Sequence, residues 1–115
     1  MEEKLGLDAI PKNVKEKIER VVSVIKSEFS DSDVFLFGSF ARGDWLEDSD
    51  LDFLVVSDKF EGVEYVKRIA LVKSELLRSG LAGGVHIIPL TRREFEERRR
   101  GSVIIEDALE YAVKL

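Results

Sequence analysis

Two short apolar runs do most to limit how this chain can fold. They are Val34-Phe35-Leu36-Phe37, which stops at Gly38-Ser39, and Phe53-Leu54-Val55-Val56, which follows Asp50-Leu51-Asp52. Consecutive β-branched and aromatic residues over so few positions read as strands, and their unbroken apolar character predicts burial on both faces. The second strand is expected to open at Asp50 and run to Val56. Gly83-Gly84 then introduces a third, Val85-His86-Ile87-Ile88, which Pro89 should close because proline cannot donate to a ladder.

Between and around these strands the apolar spacing changes to threes and fours. Val14, Ile18, Val21, Val22, Ile25 and Phe29 fall on one face of a helix whose first turn holds Pro11. Tyr65, Ile69, Val72 and Leu76, with Val66, Ala70 and Leu77 beside them, predict a second long helix that Gly80 terminates. Thr91 and Glu94 have the spacing of a capping box and should start a short, highly charged helix. Gly101 is expected to break it and Ser102 to cap a last helix, with Ile104, Ile105, Ala108, Leu109 and Ala112 facing the core. Residues 40–49 carry little periodicity and read as a short helical turn and an exposed loop. The chain is therefore expected to be α/β (α+β), a small mixed sheet of three to four strands flanked by helices, with residues 1–115 forming one domain.

Composition narrows the setting. Hydrophobic residues make up 44% and charged residues 36%, which suits a folded globule. The absence of cysteine rules out disulfides and thiolate metal sites and points to the cytoplasm. No apolar run nears the roughly 20 residues of a membrane span, and the N-terminus does not read as a signal peptide. A net charge of −5 disfavours broad nucleic-acid binding, which needs a basic surface.

The chemistry concentrates where the strands begin and end. Residues two apart on a strand share a face, so Asp50 and Asp52 should present two carboxylates together, an arrangement that suits a hard cation such as Mg²⁺. Gly38 lets backbone approach a ligand, and Ser39 adds a hydroxyl where a helical turn starts with unsatisfied N–H groups. Together these form a cradle for phosphate. Arg42, one turn beyond Ser39, either reaches a phosphate or makes a surface ion pair. Trp45 either stacks on a base or partner or anchors its own loop. Arg92, Arg93, Arg98, Arg99 and Arg100 read either as a surface for RNA or an acidic partner or, with Glu94, Glu96 and Glu97 offsetting much of the charge, as a solvated helix, the reading favoured here.

Gly38-Ser39, ten residues, then Asp50-Leu51-Asp52 resembles the signature of the polymerase β-like nucleotidyltransferase superfamily. More closely, Gly38-Ser39-Phe40-Ala41-Arg42-Gly43-Asp44 with Ser49-Asp50-Leu51-Asp52 is similar to the minimal nucleotidyltransferases of bacteria and archaea often encoded beside a HEPN-domain protein. The resemblance implies that Gly38 and Ser39 contact triphosphate while Asp50 and Asp52 hold metal, two Mg²⁺ ions with ATP or another nucleoside triphosphate. It also implies a third acidic residue on a following strand, where this chain has none. His86 is the one polar side chain of that strand, and either it substitutes as a catalytic group or the site is crippled. The expected activity is transfer of a nucleoside monophosphate, AMP from ATP, to a hydroxyl of a partner macromolecule. The partner implied is a HEPN-type toxin, with this chain as antitoxin in a homo- or hetero-oligomer. The alternative is a degenerate module that neutralises its partner by binding alone.

Overall fold

The computed structural model describes residues 9–101 and 109–115. Its elements are α1 (Lys12–Glu28), β1 (Asp33–Phe37), the one-turn α2 (Ser39–Arg42), β2 (Leu51–Val56), a 3-10 turn (Asp58–Phe60), α3 (Tyr65–Arg78), β3 (Val85–Leu90), α4 (Arg92–Gly101) and β4 (Val113–Lys114). The strands form one mixed sheet in the order β3-β2-β1-β4. The expected class, a small α/β sheet flanked by helices, is the one observed. No helix among the described residues is long and apolar enough to cross a membrane.

Two pairings decide where a site can form. β1 and β2 are antiparallel with Phe37 opposite Asp52, and β2 and β3 are parallel with His86 opposite Asp52. The end of β1, the start of β2 and the start of β3 therefore meet at one end of the sheet. A parallel neighbour requires a crossover, and α3 supplies it. Helix α3 ends with a left-handed Gly80 at φ +72, with Leu81 N–H donating to Leu76 O and Gly80 N–H to Leu77 O. This is the Schellman closure that a glycine at this position favours.

The two faces of the sheet are packed differently. On one, Val34, Leu36, Phe53, Val55 and Ile87 join Ile18, Val21 and Ile25 of α1 and Val72 and Leu76 of α3 in the main core. On the other, Leu54, Val56 and Leu90 form a smaller cluster with Phe35, Phe37, Ile88, Phe95 and Leu109. Phe35 stacks on Phe95 of α4 at 5.7 Å. The burial of β1 on both faces that its apolar run predicts is only half realised, because Val34 and Leu36 are buried while Phe35 and Phe37 are half-buried.

Three boundaries also differ from expectation. Asp50 precedes β2, which starts at Leu51. Pro89 lies inside β3, opposite Val55. It is tolerated because β3 is an edge strand and the backbone of Pro89 points away from β2, its carbonyl accepting from Arg68 Nη1 at 3.3 Å, while its ring is buried. The two-residue β4 pairs with Phe35 and Leu36 of β1, a strand too short to leave a periodic signature. Gly101, expected to break α4, is its last residue. The helix anticipated from Ser102, Ile104, Ile105 and Ala108 falls outside the described residues.

The buried stripe of α3 is also rotated from the expected one. Arg68, Val72 and Leu76 point inward, while Val66 and Leu77 are exposed. An arginine only 7% exposed is tolerated because every part of its head is engaged. Its Nε donates to Val63 O at 2.7 Å, and its Nη1 and Nη2 clasp the Glu94 carboxylate. Glu94 in turn accepts from Thr91 N–H at 3.0 Å while Thr91 Oγ1 accepts from Glu94 N–H, which is the predicted capping box. The paired Arg68 guanidinium, opposed by partial burial, holds the Glu94 carboxyl down to about 2 from its ordinary 4.5.

A carboxyl whose pKa is depressed by folding adds stability above its unfolded value and loses it as pH falls. Arg68→Met should lower the unfolding free energy at neutral pH by about 3 kcal/mol, because it strands a partly buried carboxylate. Urea denaturation followed with pH should show the gap between the two proteins close as pH falls from 4.5 through about 2.

Candidate active site

Asp52 stands at the junction of the three strands. Its side chain is 22% exposed and that of His86 is 58% exposed, with His86 Nδ1 3.0 Å from Asp52 Oδ1. By strand parity Asp52 and His86 share the face of Leu54, Val56, Ile88 and Leu90. They lie at the end of that face where Phe37 of β1 adjoins Asp52. On the other side of the carboxylate is Gly38, whose φ of +77 and ψ of −158 fall in a region essentially confined to glycine. A Cβ at Gly38 would come within 2.1 Å of Asp52 Oδ2. One oxygen of Asp52 therefore faces His86 and the other faces the Gly-Ser turn.

Asp50 is exposed, just before β2. Leu51, between the two aspartates, is fixed by its N–H donating to Gly84 O at 2.8 Å. Gly84 has φ +66, and a Cβ there would lie 3.8 Å from Asp50 Oδ1. Ser39 opens α2, whose turn is closed by Arg42 N–H to Gly38 O and Gly43 N–H to Ser39 O. The first N–H groups of such a turn have no carbonyl of their own to bond.

Arg42 lies on that turn but makes an exposed ion pair with Asp44 at 3.3 Å, the surface alternative of the two readings. Trp45 is stacked on Phe40 at 5.2 Å with the rings 12° apart, so it anchors the loop between Ser39 and Asp50. The Ser49 hydroxyl accepts from Leu46 N–H and tightens the same loop. The arginines of α4 pair mostly with acids, Arg93 with Glu61 and Glu97, and Arg99 with Glu96, as a solvated helix would. The sequence pointed to Asp52 and His86 separately. It carries no mark of their contact, since they are 34 positions apart and meet only through the parallel register.

The family described as "Nucleotidyltransferase domain" matches residues 18–115. The chain belongs to that family. A "putative protein adenylyltransferase" of Methanocaldococcus jannaschii is 37% identical over 71 residues, covering 60% of this chain and 67% of the relative. A CCA-adding enzyme of Saccharolobus islandicus is 40% identical over 58 residues, half of this chain but only 14% of that enzyme. A solved "putative minimal nucleotidyltransferase" superposes with a TM-score of 0.54 at 30% identity, covering 88% of this chain and 94% of that one.

Enzymes of this family generally use a nucleoside triphosphate and a divalent metal. Mg²⁺ is usually held by one or two carboxylates plus substrate phosphates rather than by a cage made wholly of protein. Asp50 and Asp52, with the Gly38 opening against Asp52 Oδ2, fit that requirement. Among the described residues no three His, Cys, Asp or Glu side chains converge as a protein-only metal cage.

Gly38→Ala should cost about 1–3 kcal/mol of unfolding free energy, for a forbidden backbone region and a clash with the carboxylate together. Gly43→Ala, where φ is +90 but nothing lies within 4 Å, should cost less because it carries backbone strain alone. Equal costs in urea denaturation would mean that Asp52 does not press on Gly38.

Proposed function

We propose that this nucleotidyltransferase domain transfers AMP from ATP to a hydroxyl of a partner macromolecule and releases pyrophosphate. The observation that carries the reading is the carboxylate of Asp52, with one oxygen against Gly38 and the other on His86. A triphosphate seated at Gly38-Ser39 would have its β and γ phosphates over the α2 turn and its α-phosphate toward the aspartates. Asp50 and Asp52 would hold Mg²⁺, which when bound would neutralise charge on the triphosphate and favour loss of pyrophosphate.

The residues of the chain then have separate tasks. Ser39 and the backbone beside Gly38 bind phosphate. Asp52 orients the His86 ring through Nδ1, which leaves Nε2 directed away from that contact and able to take a proton from the attacking hydroxyl. In the transfer itself an acceptor O–P bond forms at the α-phosphate, the bond from the α-phosphorus to the bridging oxygen breaks, and pyrophosphate departs. Arg42 is held by Asp44 and would reach phosphate only by exchanging that partner, which an exposed pair does at little cost.

Adenylate is favoured over other nucleotides by the adenylyltransferase name of the archaeal relative. By the family resemblance of the Gly38-Ser39 and Asp50-Leu51-Asp52 motifs, the partner that presents the acceptor would be a HEPN-type toxin, with this chain as its antitoxin. A second reading has its own observation. β3 carries no carboxylate, and Asp52 Oδ1 is already engaged by His86, as in a domain kept for binding its partner rather than for chemistry.

Calorimetric titration of Mg²⁺·ATP into wild type and the Asp50→Asn/Asp52→Asn double variant, followed by incubation with α-labelled ATP and a HEPN partner, separates the readings. Transfer predicts metal-dependent binding that the double variant lacks, and label on the partner. A tight complex with the partner, without nucleotide binding or label, would leave only the binding module.

A further inference from the structure

Two cations of α3 reach the carbonyls of β3, and they differ in what else they hold. Arg68 bonds Pro89 O and also clasps the Glu94 carboxylate, so its charge is answered. The half-buried ammonium of Lys73 donates to Val85 O at 2.5 Å and to Ala82 O at 3.4 Å, and among the described residues it has no carboxylate partner. Ordering a long side chain and drying its charge without a counter-charge costs free energy. The bonds that Lys73 makes therefore call for an account.

What they hold is the peptide unit that carries His86. A trans peptide is planar, so the Val85 carbonyl and the His86 N–H point in opposite directions. Lys73 takes the carbonyl on the open edge of β3, which turns the His86 N–H toward β2. From the other side Leu51 N–H of β2 donates to Gly84 O, one residue before Val85. The start of β3 is thus pinned between α3 and β2, in the register that sets Val85 opposite Leu51 and His86 opposite Asp52. Arg68 does not serve this purpose, because it grips the strand toward the other end, at Pro89. A lysine on a strand edge also deters a stray strand, but a charge directed outward is enough for that. Here the charge is turned in, onto the residue before His86.

We propose that Lys73 is a positioning residue for the transfer reaction: by fixing the peptide between Val85 and His86 it sets where the His86 ring stands, keeping Nδ1 on Asp52 and Nε2 free for the acceptor hydroxyl. The ring has little else to hold it. It is 58% exposed, and its one hydrogen bond among the described residues is to Asp52 Oδ1 at 3.0 Å. On an edge strand such a ring would follow every opening of the strand's first residues, and a reacting group displaced by about 1 Å loses rate steeply.

The purpose of this contact rests on the nucleotidyl-transfer reading while its geometry does not, and the test keeps the two apart. The imidazole nitrogen spectrum of His86 would be recorded in wild type, Lys73→Met, Lys73→Gln and Lys17→Met, and each protein titrated calorimetrically with Mg²⁺·ATP. Lys73→Met keeps an unbranched stem and loses both carbonyl bonds. Lys73→Gln, whose donor sits one bond closer to the helix, covers a methionine variant that does not fold. Either should displace the His86 Nδ1 resonance in the same direction as Asp52→Asn. Their Mg²⁺·ATP affinity should stay within about twofold of wild type, because neither aspartate nor the Gly38-Ser39 turn is touched. Label transfer from α-labelled ATP to a HEPN partner should slow about tenfold or more. Lys17→Met, which frees only Gly83 O, should leave the resonance in place. An unmoved resonance in the Lys73 variants, an equal displacement by Lys17→Met, or a displaced resonance with transfer undiminished overturns Lys73 as the positioning residue. Failure of wild type to bind Mg²⁺·ATP or to label a partner overturns the transfer reading instead, whatever the His86 spectrum shows.

Discussion

The carboxylate of Asp52 is the point on which the candidate site turns. It lies in the middle of the sheet, so each of its oxygens meets a different neighbouring strand: Oδ2 the Cα side of Gly38 at the end of β1, Oδ1 the ring of His86 at the start of β3. That requires a mixed sheet. Antiparallel pairing brings the end of β1 to the start of β2, and parallel pairing brings the start of β3 there as well. Reversing either pairing would move one of the partners to the far end of the sheet. The side-chain-free Gly38 is the local consequence, because no Cβ can share the space of that oxygen.

The opposite end of the sheet is built for rigidity. There Arg68 clasps Glu94 and the carbonyls of Val63 and Pro89, and Arg92 bonds Asp33 at 2.7 Å, which holds the Asp33 carboxyl below the ordinary carboxylate range. These contacts also cap the outer edge of β3, where Lys73 and Arg68 of α3 cover carbonyls that would otherwise be open to another strand. The site end, by contrast, leaves Asp50, His86, Gly83 and Gly84 exposed. Locking one end of a sheet and leaving polar groups accessible at the other is how a small domain keeps reactive groups in place without burying them.

What could be read from the sequence was whatever local spacing controls. The helical face of Ile18, Val21 and Ile25, the Thr91–Glu94 capping box, the glycine stop after α3 and the three longer strands all follow from residues within a few positions of one another. The Gly38-Ser39 and Asp50-Leu51-Asp52 pairs were legible as a candidate site because each is itself local. The contact between Asp52 and His86 was not, since only the register of β2 and β3 creates it. Nor was the inward turn of Arg68, which looks like a solvated helix residue until Glu94 and two carbonyls are placed around it. β4 is two residues long and exists only because β1 offers it an edge. Pro89 marks a strand end on propensity alone, and the edge position of β3 is what lets it sit inside.

His86 is the only histidine of the chain, so its ring resonances report on the site without ambiguity. The most direct measurement is the imidazole nitrogen spectrum of His86 through a titration with Mg²⁺·ATP, in wild type and in Asp52→Asn. The account predicts that the Asp52 change alone displaces the His86 Nδ1 resonance, that nucleotide displaces it further in wild type, and that the variant shows no response to nucleotide. A His86 spectrum unmoved both by Asp52→Asn and by saturating Mg²⁺·ATP would contradict a site centred on Asp52.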